Sequence, residues 1–194
     1  MYGSVFSPLL PLVVITRSLK PYQKVIVVFI ITSFSADLLS IYVIRGSNYN
    51  FLHLYGLVES LILFWFYSIV LDNSKKWIYP LAMVFSLFYL INSYWYEWDQ
   101  FNTVGRSAES IIFIFLSLVM FYQFFKKEED IFLERSPLFW INIAILIYFS
   151  GAFFSFILSK IILSPGKLSW VLHNSANMLK NLILAIGLWK ARPK

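Results

Sequence analysis

The sequence predicts an all-α protein, a polytopic transmembrane bundle of seven helices, and three observations lead to this fold class. Of the 194 residues, 59% are hydrophobic and only 13% are charged, and the mean hydropathy is +0.71. Because the surface of a soluble domain is about a quarter to a third charged, most of this surface must face lipid. Six apolar segments have the roughly 20 residues that a helix needs to cross a membrane. Open strand edges cannot be satisfied in lipid, so these segments should be helices.

The first element is the least regular one. Residues 2–16 are apolar but short, and Pro8 and Pro11 interrupt them. We expect a short, proline-kinked first helix, with a re-entrant or surface segment as the alternative. No Lys or Arg precedes the apolar run, which argues against a secretory signal peptide.

Six full-length spans follow, separated by short polar stretches. They are residues 25–44, 51–71, 77–95, 107–125, 139–159 and 169–189. Tryptophans favour the membrane interface, and all but one of the seven lie at or beside a span end. These are Trp77, Trp95, Trp98, Trp140, Trp170 and Trp189.

The net charge of +6 is explained by orientation, because Lys and Arg concentrate in alternate loops. One side of the membrane has Arg17, Lys20, Lys24, Lys75, Lys76, Lys126, Lys127, Arg135, Lys190, Arg192 and Lys194. The other side has only Arg45, Arg106, Lys160 and Lys167. The richer side should be cytoplasmic, so we expect an outside N-terminus and a cytoplasmic C-terminus in the cytoplasmic (inner) membrane. No basic run is long enough to predict a nucleic-acid partner.

The longest polar stretch, residues 126–137, is predicted to be a cytoplasmic loop with charges of both signs. It is either a solvated surface or a docking site for a cytoplasmic partner. Membrane lipids are the other expected partner. The chain has no cysteine, which excludes thiol catalysis and cysteine metal sites.

Ionisable side chains at membrane depth are costly and are therefore functional candidates. The candidates within or near the ends of the spans are Asp37, Glu59, Glu109, Lys180, His53 and His173. With the predicted orientation, the acids and histidines lie in the outer half of the membrane and the lysine lies near its centre. We therefore predict one polar pocket that opens to the outside.

Helical spacing extends this set in the last two spans. His173, Asn177 and Lys180 follow an i, i+4, i+7 pattern and should form one stripe, with Asn181 on the neighbouring row. Ser155 lies on a small, hydroxylic face of the span 139–159, where helices can approach closely.

Spacing also predicts neighbours in two other spans. Tyr55 and Glu59 are four residues apart, and Arg106 and Glu109 are three apart and can form an ion pair. His53 is rotated away from Glu59 on the same helix, which argues against a simple pair of these two.

Each candidate also has a structural interpretation. Asp37 can neutralise Lys180 in an ion pair that only fixes packing. Glu109 can be a first-turn residue favoured by the helix N-terminus and by Arg106. The two histidines can be interfacial hydrogen-bonding residues.

The first functional hypothesis is a carrier or a sensor component. Its outward pocket would bind a small polar molecule or a lipid headgroup, since acid, base, amide and aromatic groups suit a zwitterionic or hydroxylated ligand. The candidate ligand-binding residues are Asp37, His53, Tyr55, Glu59, Glu109, Ser155, His173, Asn177 and Lys180.

The second hypothesis is an intramembrane lipid hydrolase that uses a metal ion. His53, His173 and Asp37 are candidate ligands for Zn²⁺, with Asp37 or Glu59 as catalytic acid or base. The spacing contains no H-x-x-x-H motif, so the ligands would come from separate helices. The sequence identifies no cofactor.

A resemblance bears on the second hypothesis. Residues 35–39 (Ser-Ala-Asp-Leu-Leu) and 53–55 (His-Leu-Tyr) resemble the Gly-Asp and His-containing helix motifs of the lysoplasmalogenase family. These multi-helix enzymes cleave the vinyl ether of lysoplasmalogens, so the resemblance implies a lipid substrate. Ala36 stands where that family has Gly, and the family usually has eight helices. The whole chain also resembles small seven-helix bacterial membrane proteins, which implies architecture only.

The third hypothesis is a retinal-binding, opsin-like protein. Lys180 in the last span and Glu59 in the third match the geometry of a Schiff base and its counterion. Ala176, one turn before the lysine, stands where microbial rhodopsins carry an acid.

Overall fold

The computed structural model describes residues 2–15, 19–40, 49–72, 74–126, 132–161 and 167–191. Across these ranges the chain is helical without a strand, which confirms the all-α prediction. The helices are α1 (Tyr2–Phe6), α2 (Leu9–Val13), α3 (Pro21–Leu38), α4 (Tyr49–Val70), α5 (Lys75–Trp95), α6 (Thr103–Lys126), α7 (Pro137–Ile161) and α8 (Lys167–Lys190). Each of α3 to α8 overlaps one predicted span and begins two to four residues earlier. Residues 16, 41–44 and 127–131, which belong to predicted spans and the predicted cytoplasmic loop, lie outside the described residues.

The first predicted helix is divided into two. α1 and α2 have five residues each and meet at Ser7 and Pro8. Proline has no backbone N–H to donate, so Pro8 and Pro11 remove helical hydrogen bonds here. The Ser7 hydroxyl instead donates to the carbonyl oxygen of Ser4 at 2.7 Å. The sequence predicted one kinked helix, and the structure has two short ones.

Four described helices, α4 to α7, are long and apolar enough to cross a membrane. The exposed face of α6 is an example of their apolar surface. Large apolar side chains recur on it every three or four residues and are all exposed: Ile111, Phe115, Leu118, Tyr122 and Phe125. Such a stripe of exposed hydrophobic residues is typical of contact with lipid and indicates a membrane protein.

The helices divide into two compact units. The central unit is Pro21–Glu109, in which α4 packs between α3 and α5. Its buried apolar side chains include Val25, Ile26, Phe29, Ile30, Leu63, Phe64, Tyr67, Ile78, Phe85 and Tyr89. The terminal unit comprises Met1–Lys20 and Ser110–Lys194, in which α8 packs against α7, α1 and α2. Its buried apolar side chains include Phe113, Leu116, Ile141, Ile145, Tyr148, Phe149, Leu184 and Leu188.

In the terminal unit, α7 and α8 are antiparallel and in close contact. A methyl group at Gly151 would come within 2.6 Å of the Cβ of Ala176. Further along the pair, a methyl group at Gly187 would lie 3.1 Å from Ile141. Small residues therefore let the two backbones approach at both places.

Candidate functional site

The central unit contains a buried group of three charged side chains on α4 and α6. Arg106 Nη1 donates to Glu59 Oε2 at 2.6 Å and to Glu109 Oε2 at 2.7 Å. Both carboxylate side chains are fully buried, and the arginine side chain is 8% exposed. We call these three residues the charged cluster. The predicted pairing of Arg106 with Glu109 is confirmed, and the contact with Glu59 comes in addition.

Hydroxyl groups complete the hydrogen bonding of both carboxylates. Tyr55 Oη donates to Glu59 Oε1 at 3.1 Å, across one turn of α4 as its spacing predicted. Ser60 Oγ lies 2.7 Å from Glu109 Oε1 and 2.8 Å from the carbonyl oxygen of Gly56. Every carboxylate oxygen of the charged cluster therefore has a hydrogen-bonding group within reach, as buried charges require.

A glycine in α4 makes room for a tyrosine of α5 beside the cluster. The space that a methyl group at Gly56 would fill is taken by the Tyr89 hydroxyl, and Arg106 Nη1 lies 3.0 Å from the same position. Tyr89 is buried. The absence of a side chain at residue 56 therefore brings α5 against α4 at the level of the charged cluster.

His53 holds the connection between α5 and α6. Its Nε2–H donates to the carbonyl oxygens of Glu97 at 2.9 Å and Gln100 at 3.1 Å. Its ring lies nearly parallel to that of Trp98, with centroids 6.2 Å apart. Nε2 is thus committed to two backbone groups, which favours the interpretation of His53 as a structural hydrogen-bonding residue.

Two asparagines and a glutamate fix the start of α6. Asn102 Oδ1 accepts from the backbone N–H of Gly105 at 2.7 Å, the hydrogen bond of a helix N-cap. Asn92 Nδ2 donates to Asn102 Oδ1 at 3.0 Å and to Glu97 Oε2 at 2.8 Å. Asn102 Nδ2 donates in turn to Ser93 Oγ at 2.6 Å. This network sets the position from which Arg106, one turn further, reaches the charged cluster.

These anchoring residues were not predicted from the sequence. Asn102 itself was the available signal, because asparagine is a common residue immediately before the first turn of a helix. The predicted span began at 107, whereas the cap places the first helical residue at Thr103.

In the terminal unit, the predicted stripe of α8 contacts two different neighbours. Asn177 Nδ2 donates to Ser4 Oγ at 3.1 Å, and Asn181 Nδ2 donates to Ser7 Oγ at 2.7 Å. Asn177, a candidate ligand-binding residue, therefore anchors the N-terminal segment. Amide-to-hydroxyl bonds of this kind commonly join helices in membranes.

Lys180 and His173 face α7 instead. Lys180 is 1% exposed, and its Nζ lies 4.3 Å from the ring centroid of Tyr148, a cation–π distance. The ring of His173 lies 6.0 Å from those of Tyr148 and Phe156.

The remaining candidates are Ser155 and Asp37, and the candidates as a whole are divided between the two units. Ser155 Oγ donates to the carbonyl oxygen of Gly151 at 2.8 Å within α7. Asp37 lies half-buried at the end of α3, in the central unit with His53, Tyr55, Glu59 and Glu109. His173, Asn177 and Lys180 belong to the terminal unit.

Within the described ranges, no three His, Asp or Glu side chains are grouped so that they could hold a metal ion.

No protein-family model, no curated protein and no solved structure matches this chain.

Proposed function

We propose that the chain is a multi-pass protein of the cytoplasmic membrane that binds a small polar molecule or a lipid headgroup, as a carrier or as a sensor component. The proposed topology has seven spans, an outside N-terminus and a cytoplasmic C-terminus. The observation that carries the proposal is the contact of one guanidinium nitrogen, Arg106 Nη1, with two fully buried carboxylates.

The charge balance of the cluster favours binding over a purely structural role. One guanidinium neutralises one carboxylate, and burying a second carboxylate beside it adds desolvation cost. The three side chains together carry one excess negative charge when both acids are ionised. A proton or a polar ligand with a positive group neutralises it.

The position of the cluster fits this role. Under the proposed orientation, Arg106 and Glu109 lie in the first turns of an inward-running α6, close to the outer surface. Tyr55 is half-buried and its hydroxyl bonds to Glu59, so one partner of the buried charges is itself partly exposed.

The other two hypotheses gain no specific support from these contacts. A zinc site that uses His53 requires Nε2 to leave two carbonyl oxygens or Nδ1 to act as ligand. A retinal counterion at Glu59 would have to share that carboxylate with Arg106 and Tyr55. We therefore propose neither.

Thermal unfolding of the purified protein tests the binding function. The probes are phosphoethanolamine, phosphocholine and glycerol phosphate, which represent common lipid headgroups. We expect at least one of them to raise the unfolding midpoint of the natural protein, because a ligand that binds only the folded state stabilises it. The rise should be smaller in Glu109→Gln.

Glu134→Gln is the matched control, because Glu134 is exposed in the short helical turn Leu133–Arg135. It should respond like the natural protein. If no probe changes the midpoint, the binding function is wrong. If Glu109→Gln responds as fully as Glu134→Gln, the ligand binds elsewhere.

A further inference from the structure

The hydroxyl group of Ser60 contacts two oxygen atoms but has only one hydrogen to donate. Its Oγ lies 2.8 Å from the carbonyl oxygen of Gly56 and 2.7 Å from Glu109 Oε1. Oxygen–oxygen distances of about 2.7 to 2.8 Å are those of O–H···O hydrogen bonds, and each such bond needs its own hydrogen. A serine hydroxyl supplies one hydrogen and two acceptor lone pairs. The second contact therefore needs a hydrogen from the other partner.

Of the two partners, only Glu109 can carry that hydrogen. A carbonyl oxygen has none, so Ser60 donates to Gly56. The contact between Ser60 and Glu109 is then satisfied when the carboxyl group is protonated on Oε1 and donates to Ser60 Oγ. The other oxygen stays an acceptor, because Arg106 Nη1 has two hydrogens, one for Glu59 Oε2 and one for Glu109 Oε2.

The charged and titratable groups around Glu109 come from three helices. They are Glu59 and Tyr55 of α4, Tyr89 of α5 and Arg106 of α6 itself. Arg106 favours a negative charge on Glu109, whereas full burial and the neighbouring carboxylate of Glu59 oppose it. With the proton in place, Arg106 and Glu59 form an ion pair, and Glu109 is a neutral group that donates one hydrogen bond and accepts another.

We propose that the charged cluster is a proton-binding site in which Glu109 holds the proton on Oε1 and donates it to Ser60 Oγ. The proton comes from the surrounding solution and forms an O–H bond at Glu109, and no other covalent bond is made or broken. This inference goes beyond the proposed binding function and does not depend on it, because it concerns the cluster without any bound molecule.

Loss of the proton changes the hydrogen bonding between α4 and α6. An ionised Glu109 only accepts, so Ser60 then has one hydrogen for two acceptors and must leave either Gly56 or Glu109 without it. Gly56 is also the residue against which the Tyr89 hydroxyl of α5 packs. The protonation of Glu109 therefore sets the hydrogen bonding at the place where α4, α5 and the first turns of α6 meet.

Infrared spectroscopy of the full chain in detergent tests the site, because a protonated carboxyl group has a C=O absorption separate from those of carboxylates and of the peptide backbone. We expect this band in the natural protein at neutral pH, with a shift to lower frequency in heavy water as the O–H exchanges. Glu109→Gln should lose the absorption of one carboxyl group. Glu134→Gln, which changes an exposed acid, should lose none.

Two matched variants of α4 decide which carboxyl group holds the proton, and they keep the test decisive if Glu109→Gln does not fold. Ser60→Ala removes the acceptor of the proposed O–H bond and should shift the band to higher frequency, because the C=O bond of an acid strengthens when its O–H loses a hydrogen-bond partner. Tyr55→Phe removes the hydroxyl that bonds to Glu59 and should leave the band where it is.

Three results would overturn the proton site. They are the absence of the band from the natural protein at neutral pH, a band that does not shift in heavy water, and a band of full strength in Glu109→Gln. A shift in Tyr55→Phe as large as that in Ser60→Ala would also contradict the assignment to Glu109. Failure of the headgroup probes to stabilise the protein does not alter any of these spectra, so the two proposals can fail separately.

Discussion

Tyr89 in α5 fills the space that a side chain at Gly56 in α4 would need, so these two residues are matched across the helix contact. The match brings the tyrosine hydroxyl to the level of Arg106. It also defines a position where the smallest possible enlargement has a measurable effect.

We expect Gly56→Ala to destabilise the protein by about 1 to 3 kcal/mol, because an added methyl group in a filled contact forces neighbours apart. Thermal unfolding in detergent measures the change. Tyr89→Phe in the same chain removes the nearest atom and should restore part of the loss. A Gly56→Ala protein as stable as the natural one would mean that the two helices are further apart than described.

The charged cluster predicts an unequal response to removal of its charges. Arg106→Met leaves two buried carboxylates together and should cost about 3 to 5 kcal/mol, the usual loss when one partner of a buried ion pair is removed. Glu109→Gln leaves a neutral Arg106–Glu59 pair and should cost much less. Chemical unfolding of both variants measures the difference, with the exposed Arg135→Met as control. Equal losses would contradict the charge balance.

The N-cap of α6 gives a third prediction. Asn102→Ala removes the acceptor for the Gly105 N–H and should cost about 1 to 2 kcal/mol. Hydrogen exchange at the first turn of α6 should become faster. Gln100→Ala, an exposed change in the same connection, is the control. Unchanged exchange in Asn102→Ala would show that the cap does not stabilise this turn.

The N-terminal segment should loosen when its anchor on α8 is removed. Asn181→Leu deletes the donor to Ser7 and should increase hydrogen exchange in residues 3–13. Asn174→Leu changes a half-buried asparagine of the same helix and serves as control. Equal exchange in the two variants would mean that the amide bond contributes nothing to the attachment.

The absence of cysteine makes the topology directly testable. Single cysteines at Glu134 and Gln100, both exposed, can be labelled in intact cells with a maleimide that does not cross membranes. We expect Gln100→Cys to react in intact cells and Glu134→Cys to react only after the membrane has been permeabilised. The reverse pattern would invert the proposed orientation.

The helices were largely predictable because their signal is local. An apolar run of about 20 residues has few alternatives in lipid, so α3 to α8 begin within four residues of the predicted starts. The contacts of Tyr55 with Glu59 and of Arg106 with Glu109 were predictable for the same reason, since one helical turn separates each pair.

The rest of the site depends on how helices are rotated against each other, which spacing within one helix does not determine. Glu59 meets Arg106 across 47 residues of sequence. The α8 stripe appeared to be one face, yet Asn177 turns to the N-terminal segment while Lys180 turns to Tyr148. Side chains three or four residues apart on a helix point in directions that differ by about 60° or about 40°. This difference is enough for each side chain to contact a different neighbouring helix.

The hydrogen bonds that Asn177 and Asn181 donate to Ser4 and Ser7 have a consequence for biosynthesis. The helices of the central unit can pack soon after they are made, because α3, α4 and α5 are neighbours in the chain. The segment Tyr2–Val13 leaves the ribosome before α8, and it docks on residues of that helix more than 170 positions later in the sequence. Its attachment therefore has to wait until α8 has been synthesised as far as Asn181.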